Sequence, residues 1–112
     1  MRFAKLLRLA TLLTAIAAGL PAMALDPNAG RKLAEQHCVR CHAIGPSDKS
    51  KLPIAPPFRT IADRYSVWTL QESLAEGIVV GHAAMPEFVL NPDEISNLLS
   101  YMESLATKRK TK

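Results

Sequence analysis

Cysteine is scarce in this chain. Cys38 and Cys41 are the only two among 112 residues. A structural zinc site needs about four Cys/His ligands, normally in two pairs, so the missing second pair argues against one. A Cys38–Cys41 disulfide would close a very small loop and stabilise little. A catalytic Cys-x-x-Cys belongs in a βαβ setting. No stretch alternates apolar and polar residues long enough to build those strands. No internal repeat, low-complexity tract or Gly/Ser linker divides the chain, so a single small domain is expected.

Negative charge is missing from the first 25 residues, where Arg2, Lys5 and Arg8 precede the apolar run LATLLTAIAAGL. Pro21 and the small-residue end Ala22-Met23-Ala24 follow it. This is the pattern of a secretory signal peptide, residues 1–24, cleaved after Ala24. The run falls short of the ~20 apolar residues a membrane span needs, so no stable membrane insertion is expected after cleavage. The mature domain is then residues 25–112, and the expected location is the periplasm.

The chain holds 14 Lys+Arg and 10 Asp+Glu. Three of the basic residues leave with the leader, and Lys108, Arg109, Lys110 and Lys112 belong to a C-terminal tail. The remaining body is mildly acidic, which does not support a nucleic-acid-binding surface.

An exported chain this short builds only a marginal core and needs something covalent or bound to hold it. Its elements read as all-α. Asp26 and Pro27 supply an N-cap and a proline at the first helical position, for a helix running to about His37. Its inner stripe would be Gly30, Leu33, Ala34 and His37. Residues 43–57, AIGPSDKSKLPIAPP, form a prolyl loop, with a short helical turn around Arg59 to Arg64 after it. Ser66 is placed as the cap of a third helix presenting Val67, Leu70, Leu74 and Ile78. Asn91-Pro92-Asp93-Glu94 makes a capping box, opening a last helix with Ile95, Leu98, Leu99, Met102 and Leu105 on one face.

The stretch QHCVRCH then decides what the cysteines are for. Cys38-Val39-Arg40-Cys41-His42 is the Cys-x-x-Cys-His pattern of c-type haem attachment. On a helical turn the positions i, i+3 and i+4 share a face. Both thiols can thus form thioethers to haem vinyl groups while the adjacent imidazole reaches the iron. Cys38 and Cys41 become covalent anchors, and His42 becomes the proximal axial ligand of one haem c. Leu52, Ile54, Phe58, Ile61, Leu70, Leu74, Ile78, Phe88, Leu98 and Met102 are the apolar residues expected around it. For the second axial position, His37 is tied to the proximal side and Met102 fits a core stripe. That leaves the loop GHAAMPEF, with His82 and Met85.

With these residues in view, the sequence resembles the class I cytochromes c, in particular the small bacterial members carrying one haem. The resemblance rests on the N-terminal Cys38-x-x-Cys41-His42, on Met85 followed by Pro86, and on the last helix LLSYMESL. It implies crossed N- and C-terminal helices, with Gly30 meeting Tyr101. It also implies Met85 as distal ligand and a proline carbonyl accepting a hydrogen bond from the proximal histidine. Pro56 in APPF matches that proline, with Pro57 the alternative. His82 is then expected to be a surface loop residue, and Trp68 a packing residue with no assigned contact to haem propionates.

His/Met ligation raises the iron potential and leaves no open coordination site. The expected function is therefore one-electron transfer without enzymatic turnover. The carrier, a monomer, would shuttle between redox partner proteins: a membrane oxidoreductase or dehydrogenase on one side, an oxidase or reductase on the other. The competing readings are a haem enzyme or gas sensor in which Met85 does not bind, and a thiol-disulfide oxidoreductase without haem.

Overall fold

A computed structural model describes residues 18–19, 24–77 and 85–108. These residues contain four α-helices and no strand: α1 (Pro27–His37), α2 (Phe58–Arg64), α3 (Gln71–Glu76) and α4 (Pro92–Ser104). A 3₁₀ turn, Val67–Leu70, leads directly into α3.

The two terminal helices begin where their caps dictate. The Asp26 carboxylate accepts from the amides of Asn28 and Ala29 at 3.0 and 3.1 Å. At α4 the Asn91 side chain accepts from the Asp93 and Glu94 amides, while the Glu94 carboxylate takes the Asn91 amide at 3.0 Å. Both helices carry proline at the first position, where no intrahelical donor is required.

α1 and α4 cross closely. A Cβ at Gly30 would collide with the Asn97 carbonyl and lie 2.9 Å from the Leu98 amide nitrogen. Glycine is needed there because backbone meets backbone. The contact falls one turn ahead of Tyr101, the residue expected to face it. The Asn97 side chain also accepts the Asp26 amide at 2.9 Å, fastening the start of α1 to the middle of α4. Ala34, Ile95, Leu98, Leu99 and Met102 are buried along the crossing, joined by Phe58 and Ala62 of α2 and by Val67 and Leu74.

The third helix differs from the expectation. It divides into the 3₁₀ turn and α3, and Ser66 makes no side-chain cap. Its carbonyl instead accepts from the Thr69 amide at 3.1 Å and the Thr69 hydroxyl at 2.7 Å. Val67, Trp68 and Thr69 are stiff or aromatic and weak helix formers, and the threonine hydroxyl competes for backbone partners. α3 stops at Gly77, whose φ of 85° suits a residue without Cβ. Ile78, expected to extend this helix, lies outside the described residues, as does His82.

Candidate functional site

The turn that ends α1 carries the cysteine motif. The Cys38 amide donates to Ala34 at 2.8 Å, and the amides of Cys41 and His42 both return to the Cys38 carbonyl at 3.1 and 2.9 Å. The chain thus makes one further helical turn beyond α1. Cys38, Cys41 and His42 come to line the same cavity. No disulfide joins the two cysteines. Burial pushes the Cys38 thiol up to about 11. A nucleophilic redox cysteine needs the opposite, a thiolate favoured near neutral pH.

The imidazole of His42 is oriented by the prolyl loop. Its Nδ1 lies 2.7 Å from the Pro56 carbonyl oxygen. That oxygen can only accept, so Nδ1 carries a proton, and in the neutral ring the lone pair is on Nε2. The Pro57 carbonyl is engaged elsewhere, accepting from the Thr60 and Ile61 amides at the start of α2. Phe58 packs against the His42 ring, with centroids 5.5 Å apart and planes inclined at 48°.

The cavity measures about 380 Å³, within the usual size of a ligand site. Met85, Pro86 and Phe88 line it along with the cysteine turn. Apolar side chains close the rest: Leu52, Ile54 and Ile61 from the loop and α2, Leu70 and Leu74 from the α3 region, and Leu98 and Met102 from α4. Of the apolar set expected around a haem, every member but Ile78, which is not described, lines the space.

Leu33, Ala55, Tyr65 and Leu90 line it as well. Leu33 already stood on the inner stripe of α1. No periodic pattern marks the other three, since they sit in loops or at a helix end. His37, expected on that inner stripe, is exposed yet also lines the cavity, its ring 5.2 Å from that of Phe88 and inclined to it at 52°. Trp68 turns away. Its indole N–H donates to Glu103 at 3.1 Å, and its ring lines a separate shallow groove.

These donors suit a c-type haem. Two thiols at Cys-x-x-Cys spacing, a histidine with a free Nε2 and a thioether all border one apolar cavity. Among the described residues, no group of three or more His, Cys, Asp or Glu side chains could hold a separate metal ion. The family model for cytochrome c matches residues 27–106. The chain belongs to the cytochrome c family. It is a small class I c-type cytochrome with the helical fold of that family, and its family binds covalent haem c and carries electrons. No curated protein matches the chain. No helix among the described residues is long and apolar enough to cross a membrane.

Proposed function

We propose that this cytochrome is a periplasmic one-electron carrier whose haem is tethered by Cys38 and Cys41 and held axially by His42 and Met85. The observation that carries this reading is the convergence of all four side chains on one apolar cavity, with Pro56 leaving only Nε2 of His42 free. Residues 1–24 act as a cleaved signal peptide, and residues 25–112 form the mature monomeric domain.

Each residue has a physical task. Cys38 and Cys41 hold the macrocycle as thioethers. His42 offers Nε2, its orientation and basicity supported by the hydrogen bond to Pro56. Met85 offers a thioether sulfur, which favours the reduced state more than a second imidazole would. The apolar walls exclude water and keep both oxidation states in nearly the same structure. When bound, haem c supplies a one-electron couple. With His42 and Met85 both holding it, the bound group would offer no coordination site to a substrate.

Partners would be redox proteins that meet the rim of the cavity, where Ile54 is 72% exposed. Such encounters use small interfaces and are steered by charge. The stretch from Tyr65 to Thr107 carries Glu72, Glu76, Glu87, Asp93, Glu94 and Glu103 but no Lys or Arg. That acidic excess favours a cationic partner over nucleic acid.

The attachment claim is tested by acidified-acetone extraction of the full chain matured in a haem-attaching host. The wild type should retain its haem, and Cys38→Ala combined with Cys41→Ala should retain none. Release of free haem from the wild type would end the claim.

A further inference from the structure

Arg59 has no role in the site described so far, yet its guanidinium is the most connected side chain of the loop behind His42. From the first turn of α2, Nη1 donates to the Gly45 carbonyl at 3.2 Å and Nη2 to the Asp48 carbonyl at 2.7 Å. The Asp48 carboxylate lies 3.6 Å from Nη1 and accepts the Gly45 amide at 2.9 Å. The Arg59 side chain is only 24% exposed. One planar cation thus grips two carbonyls and a carboxylate in residues 45–48, a use that suits arginine and not lysine.

This grip closes a ring around the proximal histidine. Residues 45–48 begin three positions after His42, and Arg59 lies three positions after Pro56. Between them the Phe58 amide donates to Ala43 at 2.9 Å, and the Ala55 amide to Leu52 at 2.9 Å. The Pro56 carbonyl stands between those two bonded positions, 2.7 Å from Nδ1 of His42.

We propose that Arg59 is a positioning residue for His42: by locking α2 to residues 45–48 it holds the Pro56 carbonyl against Nδ1. It thereby increases the electron donation available from Nε2. The proposal rests on the reading of His42 as axial ligand. A strong Nδ1–H···O bond makes the imidazole more basic, which favours the oxidised iron and lowers the potential. Arg59 also acts as a nearby positive charge, which raises the potential. The two effects have opposite signs, so they can be separated.

The experiment compares the haem-loaded wild type with Arg59→Lys and Arg59→Gln, reading the midpoint potential and the exchange rate of the His42 Nδ1 proton in the ferrous state by NMR. In Arg59→Lys the charge stays and the fork is lost. The expected result is an upward shift in potential, with exchange faster by about tenfold. In Arg59→Gln exchange should quicken as much, with a smaller upward shift because the cation has gone. Asp48→Ala, which leaves Arg59 in place, should move both readings the same way by less.

Unchanged potential and exchange in Arg59→Lys would overturn the proposal. So would a fall in potential confined to Arg59→Gln, which is the signature of charge alone. A wild-type ferrous spectrum without a haem-shifted His42 ring would overturn the ligand reading, and this proposal with it. That result is distinct from a shifted ring that ignores Arg59.

Discussion

Residues 42–59 and residues 85–90 border the same cavity but are held by different forces. The first segment is pinned by directed bonds. His42 donates to Pro56, Ala43 to the Ser50 hydroxyl, Phe58 to Ala43, and Arg59 to two carbonyls. Tyr101 of α4 adds another by donating to the Ile44 carbonyl at 2.5 Å. Burial raises the pKa of that phenol above its ordinary value, so it remains a donor through the neutral range. Residues 85–90 show no hydrogen bond among the described residues. Met85, Pro86, Phe88 and Leu90 face the cavity, and Phe88 rests on the His37 ring. Val89 is 97% exposed.

The difference fits two tasks. A histidine ligand needs one tautomer and one ring orientation, which demand an acceptor at a defined place. A thioether has no proton to place and adapts through three rotatable bonds. Apolar contact suffices for it.

This contrast can be broken at several points. The largest effect on stability is expected at the crossing of α1 and α4, where much of the buried core lies. Gly30→Ala should destabilise the haem-loaded protein by about 1–3 kcal/mol, because the added methyl must push apart two backbones. That loss should outweigh the ~1 kcal/mol gain in helix propensity. A lowered denaturation midpoint measures it, and an unchanged or raised midpoint would contradict the close approach.

Next comes Tyr101→Phe, which removes the donor to Ile44 and touches the proximal side alone. It should cost about 1 kcal/mol and leave the Met85 spectral signature intact. The smallest effect is expected from His37→Ala, which removes the ring beneath Phe88. Because His37 is exposed, a loss at the low end for a ring contact, about 0.5 kcal/mol, is expected. It should appear as easier displacement of Met85 by added imidazole, with no change in exchange at the His42 ring.

How much of this could be read beforehand follows the range of the interaction. α1 and α4 were legible because Asp26-Pro27 and Asn91-Pro92-Asp93-Glu94 are local signals, complete within one turn. The attachment turn was legible for the same reason, since five consecutive residues carry it. The Ser66 cap failed because a helix start can be replaced by a 3₁₀ turn when Val67 and Thr69 disfavour the α form. Gly30 was rightly placed at a crossing, but its opposite number is the Asn97 carbonyl, and backbone atoms leave no mark in a sequence. Arg59 gave no local signal either. Its partners lie 11 and 14 positions away, and only the folded loop brings them together.

The contrast finally depends on Met85 being a ligand, the claim with the least hydrogen-bonded support around it. The measurement that tests it most directly is the near-infrared absorption of the oxidised, haem-loaded protein, wild type against Met85→Ala. The wild type should show the weak sulfur-to-iron band. Met85→Ala should lose it while keeping haem covalently attached, and in the ferrous state should bind carbon monoxide readily where the wild type binds it poorly. A native protein without the band, or a variant that retains it, would contradict the His42/Met85 account.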